Sequence, residues 1–481
     1  MSKTFCSRET LAELLRIALP MVISHGTFAL MIFTDRYFLS QVSPLHMAAA
    51  LGGGVAAYFS FCFFSGLVAY ANAMAAQYLG SGEKGKCSKV VTQGALMILG
   101  SLPPLTLITI LVMGIFELMD HDPEQVELER TYYLILMAGV ALTLAKACIS
   151  SYFAGIGRSR VVMICDVCSL LINVPLCAVM VLGSAGLPVL GTAGIALNNF
   201  TVTLLGITEL PALGMVGAGL STIIATLFGL LLFLWFYFAK AHREEFQVLR
   251  SFHYDRGIFR RYLRLGFPSG MELFLNVAAF NLFLLMFQGY GRAEGASAAI
   301  VFNWDVLSFV PMMGLNIAVV SLIGRFVGAG NMARTNEVIA GGFLLGLGYS
   351  GILALLFITL RFPMVELFAP PDGDFTQIRQ LAAFMMIGLA TYTMADATIL
   401  VAGGVMRGAG DTRWLMYAST SLHWTMLLIQ IFVIRVFNYS SRASWLIFCL
   451  LIFAIALVYI WRLRSNRWRD PETLKAVMAE Y

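Results

Sequence analysis

LATYTMADATILVAGGVMRGAGDTR, residues 389–413, is an apolar helical run that carries one acid, Asp396, and stops at a glycine-rich, basic turn. An ionised carboxylate at the centre of a bilayer costs about 2.5–3.5 kcal/mol on insertion scales, so such a residue faces a bundle interior or a wet cavity. Tyr392 lies one helical turn earlier, at the i, i+4 spacing that lets side chains meet. A second acid, Glu272, sits in the equally apolar segment RLGFPSGMELFLNVAAFNLFLL, residues 264–285. With Arg407 and Arg264 taken to mark one membrane face, a rise of 1.5 Å per residue puts Asp396 roughly 16 Å and Glu272 roughly 12 Å deep. Two carboxylates at comparable depth read as a pair that shares a proton, a metal cation such as Na⁺, or an organic cation.

The rest of the chain supplies the setting for that pair. Of 481 residues, 59% are hydrophobic and only 12% charged, about half the charged fraction of a soluble domain. Apolar runs repeatedly reach the roughly 20 residues that span a bilayer as a helix, so the chain reads as an all-α, multi-pass membrane protein. Its start, MSKTFCSRETLAELLRIALP, runs from charged residues into a long apolar helix without a small-residue cleavage site, which argues against a signal peptide. The net charge of +5 belongs to loops on one membrane side and does not point to nucleic acid. The eight cysteines are scattered, mostly within spans, and imply no disulfide framework. Cys165 and Cys168 form a CxxC inside a helix without nearby histidines, short of the ligand set a metal needs. No catalytic triad, metal-protease helix or nucleotide-binding loop is present, so neither an enzyme nor a cofactor is expected.

Twelve spans are expected, centred near residues 25, 62, 104, 143, 172, 227, 275, 311, 352, 394, 426 and 453. Basic residues orient them. The linker AKAHREEFQVLRSFHYDRGIFRRYLR, the lysines 84, 86 and 89, and the arginines 462, 464, 467 and 469 all fall on one side, expected to be cytoplasmic with both termini. The opposite side has few basic residues, and its two longer loops, LMDHDPEQVELER and VELFAPPDGDFTQ, are acidic.

The chain also repeats itself. Pro20 corresponds to Pro268, Gly66 to Gly314, Gly80 to Gly328 and Val90 to Val338, each pair 248 residues apart. Further on, AGIGRSR at 154–160 matches RGAGDTR at 407–413, 253 residues apart. Six spans per half is an even number, so both copies share one orientation. The expectation is two six-helix bundles related by an axis along the membrane normal, with a substrate path between or within them. The division is residues 1–239, a linker at 240–262, residues 263–465, and a tail at 466–481. One region breaks the symmetry: LPVLGTAGIAL at 187–197 recurs as LPALGMVGAGL at 210–220, a tandem gain in an outer connection expected to lie at the interface or over the outer mouth.

With these residues in view, the chain resembles the multidrug and toxic compound extrusion (MATE) family, and within it the NorM-like branch. The most specific element is MADATILVAGGVMRGAGDTR at 394–413, similar to the family's tenth span and following loop. The resemblance implies functional acids at Glu272, Asp396 and Asp35, with Tyr392 as an aromatic of the cation site and a candidate Na⁺ site at Glu272 and Asp396. It also places Asn173 and Thr222 at polar family positions. Cys177 stands where the family has a second Asn or Asp, and Arg36 stands beside Asp35 in place of a small polar residue. The implied activity is export of organic cations against an inward Na⁺ or H⁺ gradient by alternating access, by a monomer in a bacterial inner membrane.

Three further charged residues sit inside spans. Lys146 is about 18 Å deep and needs an anion or must lose its proton. Asp166 and Asp35 are the candidate partners, each offset from it by roughly 9–10 Å on a straight-helix count, which a flexible side chain only partly bridges, and a structural ion pair stands beside a part in proton or substrate handling. Asp305, about two turns into the eighth span, either extends the Glu272–Asp396 network or lines a wet cavity wall. Two rival functions remain: a lipid-linked precursor flippase on the same scaffold, and a receptor that does not transport.

Overall fold

In the computed structural model, residues 7–117, 122–205, 210–369 and 375–480 are described. Parts of the two acidic loops, 118–121 and 370–374, and of the duplicated segment, 206–209, lie outside them. Twelve crossings follow in order: α1 (Arg8–Val42), α2 (Pro44–Gly80), α3 (Lys84–Glu117), α4 (Pro123–Ala138 with Val140–Gly155), α5 (Ser159–Ser184) and α6 (Gly214–Phe238), then α7 (Arg256–Gln288), α8 (Arg292–Gly328), α9 (Met332–Thr359), α10 (Thr376–Ala409), α11 (Thr412–Val436) and α12 (Ser441–Arg464). Eleven are long and apolar enough to span alone, and α4 is a pair bent by 50° at Gly139. A short helix, Thr192–Leu205, covers part of the duplicated segment, and Leu210 and Leu213 of the second copy dock on the end of α5 through Ser184 and Met180.

The helix starts are written locally. Ser7, Ser43, Asp122, Asp255, Asn331 and Ser440 each accept a backbone N–H from the first turn that follows, which satisfies donors the helix itself leaves unpaired. Pro44 and Pro123 occupy first-turn positions, where the missing N–H costs nothing. Gly410, at φ 89°, ends α10 in a left-handed turn closed to the carbonyls of Arg407 and Met406.

Two lobes result, α1–α6 and α7–α12. Across the seam α1 packs on α8 and α2 on α7, the same relation written twice. The glycine contacts have the same symmetry. A Cβ on Gly80 would meet the carbonyl of Arg325, and one on Gly328 would meet the carbonyl of Gln77. A Cβ on Gly66 would meet Gly270, and one on Gly314 would meet Val22. Each partner is the other's plus 248, so the repeat is a true approximate two-fold in space. Only a hydrogen fits at these crossings, and small residues are what allow helices to approach this closely in a membrane.

The last-turn carbonyls of two helices are capped across the same seam. Gln77 Nε2 donates to Gly408 O at 2.7 Å and Tyr70 Oη to Arg407 O at 3.3 Å, so the first lobe caps α10. Ser321 Oγ lies 3.0 and 3.1 Å from the carbonyls of Ala154 and Gly155, so the second lobe caps α4. The carbonyls belong to the two copies of the repeated AGIGRSR/RGAGDTR motif. This closure is at the end of the molecule that carries the basic loops. Arg261 extends it: its Nη2 donates to Gln77 Oε1, its Nε to Val477 O at 2.8 Å, and its guanidinium lies over the Tyr78 ring at 4.7 Å. Glu480 of the tail accepts from Tyr78 Oη at 2.8 Å and pairs with Lys86 at 3.2 Å.

The linker is docked as firmly. His242 is buried among Tyr152, Phe153, Tyr237 and Phe246. Arg158 Nη1 lies 2.8 Å from its Nδ1, and because a guanidinium only donates, Nδ1 accepts and the ring proton sits on Nε2, 3.1 Å from Tyr152 Oη. Burial, reinforced by the Arg158 charge and opposed by Glu245, pushes the imidazole down to about 4 from 6.5.

Two predictions follow from these contacts. Gly80→Ala and Gly328→Ala each lower the unfolding midpoint in detergent, by an overpacking cost of about 1–3 kcal/mol, whereas Gly348→Ala, whose Cβ meets nothing within 4 Å, leaves it unchanged. A depressed histidine contributes stability that is fully present above pH 6.5 and is lost as pH falls towards 4. Thermal unfolding across that window shows a falling midpoint, and His242→Gln flattens the slope.

Candidate functional site

The acids of the second lobe divide between two clusters. Glu272, one turn past Pro268 in α7, is met by Arg407 of α10: Nη2 donates to Oε1 at 2.8 Å. The carboxylate side chain is 3% exposed and the guanidinium 27%, so the arginine is the outer member of the pair. Ser419 of α11 stands beside the same carboxylate. It accepts from Asn276 Nδ2 at 2.8 Å, and His423 Nδ1 donates to its carbonyl at 2.8 Å. The second oxygen, Oε2, is buried without a protein donor.

The other cluster joins α8 to α10. Asp305 lies beside both Asp396 and the Tyr392 hydroxyl, and takes a 2.8 Å hydrogen bond from Ser308 Oγ. Tyr392 is 2% exposed and is held edge-on by Trp445 and Phe448, with ring centroids 6.1 and 5.7 Å away. The Trp445 indole is fixed in turn by donating to Met385 O at 3.1 Å. Two carboxylates and the phenol hydroxyl of a fixed tyrosine thus meet in one place.

The sequence expectation needs one correction here. The charge beside Glu272 is Arg407 and the charge beside Asp396 is Asp305, so the comparable depth of Glu272 and Asp396 does not make them a pair. Nor does the Arg407 side chain stand free at the basic end. Helix side chains lean towards the N-terminus. In α10 that direction leads from the basic end into the membrane, and in α7 it leads back towards the basic end. Arg407 and Glu272 therefore lean towards each other and close the roughly 12 Å that a rise count puts between them. Helix polarity was the signal that could have found Arg407.

In the first lobe, Thr222 Oγ1 donates to Asp35 Oδ2 at 2.7 Å, and Asn173 and Cys177 flank the same carboxylate. Both amide atoms of Asn173, and Asp35 Oδ1, are buried without a hydrogen-bond partner. A separate cluster pairs Lys146 Nζ with Asp166 Oδ1 at 2.9 Å, with Ser24 Oγ donating to the other oxygen and His25 nearby. The straight-helix count set Lys146 and Asp166 roughly 9–10 Å apart in depth. It overestimates because the segment of α4 carrying Lys146 bends by 50° from the segment before it, and a lysine stem is long and flexible. Asp166 is the partner, not Asp35.

Two lobes of six helices that cap each other, with acids and aromatics clustered in the apolar layer, define a polytopic transporter fold. The MatE family model matches residues 20–179 and again 268–432, two ranges that start 248 residues apart. The probable multidrug resistance protein NorM of Pasteurella multocida is 25% identical over 418 residues, covering 86% of this chain and 84% of that protein. The multidrug resistance protein MdtK of Edwardsiella ictaluri is 24% identical over 471 residues, covering 96% of each. Among solved structures, a MATE in complex with MaL6 superposes with a TM-score of 0.82 at 17% identity, over 96% of this chain and 97% of that one. The eukaryotic MATE transporter AtDTX14 reaches 0.81 at 15% identity, over 98% and 99%. The chain belongs to the MatE family, as a NorM-like MATE transporter.

The Lys146–Asp166 pair gives a prediction of its own. Both side chains are half-buried, 18% and 14% exposed, so removing one partner leaves the other charge poorly compensated, at a cost somewhat under the about 3–5 kcal/mol of a fully buried pair. Lys146→Met and Asp166→Asn each lower the unfolding midpoint sharply, and the double variant recovers much of the loss; a thermal double-mutant cycle in detergent measures it.

Proposed function

We propose that the protein is a secondary antiporter that exports organic cations from a bacterial cytoplasm in exchange for Na⁺ or H⁺. The basic loops and both termini lie on the cytoplasmic side of the inner membrane, and the working unit is a monomer. The relatives named as multidrug resistance proteins support the substrate class. The observation that carries the coupling is the Asp305–Asp396 pair beside Tyr392.

Two like charges in a low-dielectric site strongly disfavour the doubly ionised state. The pair therefore takes up one positive charge readily, and a proton, a Na⁺ ion and an organic cation compete for it. Exchange follows from that competition without covalent chemistry: the inward-moving ion displaces the drug on the outside, and the drug displaces the ion within. Alternating access is a rocking of the two lobes about the reciprocally capped seam, the motion expected of parallel-repeat transporters. Asp35, with Thr222 and Asn173, is a second candidate acid for proton or cation uptake in the first lobe.

The test is efflux of a fluorescent organic cation from reconstituted vesicles under separately imposed Na⁺ and H⁺ gradients. One gradient drives efflux in the unaltered protein. Asp396→Asn and Asp305→Asn each reduce it by about tenfold or more, roughly 1.4 kcal/mol of lost coupling, with the fold intact by thermal unfolding. Driven efflux that survives in both variants would remove the pair from the mechanism.

A further inference from the structure

The coupling chemistry leaves the Glu272–Arg407 pair of the second lobe unused. Arg407 sits in the last turn of α10, donates to Glu272 Oε1 at 2.8 Å beside Ser419, and covers that carboxylate from the more exposed side. Its own carbonyl and that of Gly408 are the two that Tyr70 and Gln77 of the first lobe cap. The guanidinium at the site and the seam between the lobes are therefore parts of one helical turn. In the other copy of the repeat the corresponding residue is Ala154, so this link exists in one lobe only.

Charge counting gives the arginine a task. Glu272 and Arg407 together are neutral, so a cation brought to the intact pair would add an uncompensated charge in a poorly solvated place, which is costly. A cation reaches Glu272 favourably only by replacing the guanidinium. Once displaced, the Arg407 side chain no longer holds the last turn of α10 towards α7, and the carbonyls of Arg407 and Gly408 lose the position at which Tyr70 and Gln77 meet them. We infer that Arg407 is a tethered counter-cation of Glu272, which an arriving organic cation must displace, and that this displacement loosens the capped seam between the lobes. The inference rests on the proposed transport of organic cations and adds to it a specificity-determining residue and a route from the site to the seam.

Tetraphenylphosphonium serves as the probe, with its dissociation constant measured on the purified full-length protein by equilibrium dialysis. Arg407→Ala and Arg407→Gln tighten binding by about tenfold, within the range of couplings between sites, and Arg407→Lys stays near the unaltered protein. In a Glu272→Gln background the same substitutions change nothing, because the competition has no object. Spin labels at Ser81→Cys and Ala333→Cys, both exposed residues at the basic end, read the seam. Probe addition lengthens their separation in the parent, and Arg407→Ala shows the longer separation already without probe. If the probe binds the parent and Arg407→Ala neither tightens it nor moves the labels, the inference falls while the transport reading stands. If the probe does not bind the parent at all, the transport reading falls and takes this inference with it. A purely structural role for Arg407 would weaken binding equally in both backgrounds, and that result would also overturn it.

Discussion

The interaction on which the rest depends is the capping of last-turn carbonyls across the lobe seam. A helix ends with carbonyls that have no partner within it, and in a dry setting they must find donors elsewhere. Here α10 finds Tyr70 and Gln77 of the opposite lobe, and α4 finds Ser321. The Arg407 and Ala154 carbonyls also accept from Gly410 N and Gly157 N of their own lobes, at 3.1 and 3.0 Å, and the opposite lobe adds a second donor to each and one to Gly408 or Gly155. The glycines at 66, 80, 314 and 328 are what let the backbones come close enough. Aromatic pairs join the same seam, Phe59 with Phe274 and Phe63 with Phe267, at 4.8 and 5.3 Å between ring centroids.

The charges inside the membrane fall into a pattern once this frame is in place. Two acids have an internal cation, Glu272 with Arg407 and Asp166 with Lys146. The others differ: Asp396 has Asp305, a like charge, and Asp35 takes a hydrogen bond from Thr222 with Arg36 acting on it by charge alone. The first kind is electrically complete and resists further charge. The second kind has no ion-pair partner among the described residues. Division of labour among the buried acids thus follows from which of them the fold provides with a basic neighbour. The aromatic wall of Tyr392, Trp445 and Phe448 adds polarisable surface beside the incomplete pair.

Much of this was legible in the chain itself. Length of apolar runs, placement of basic loops and the 248-residue spacing are local or periodic properties, and they determined twelve crossings, their likeness in pairs and the two-lobed plan. The acids announced themselves because a charge in an apolar run stands out whatever its neighbours are. Asp396, Glu272, Asp35 and Asp305 needed no structure to be singled out, and the motif at 394–413 carried the family. What tertiary structure decided was company. Depth along a helix gives one coordinate of a side chain and says nothing about rotation about the axis or lateral neighbours. So Glu272 and Asp396, at comparable depths, belong to different clusters, while Lys146 and Asp166, nominally offset, touch across a bent helix. Arg407 read as a surface residue because its Cα is near the basic end, and only the opposed polarities of α7 and α10 turn it inward to Glu272. Sequence fixes which groups are present and how deep they start; packing fixes which charge each one meets, because that depends on the two coordinates a linear pattern does not contain.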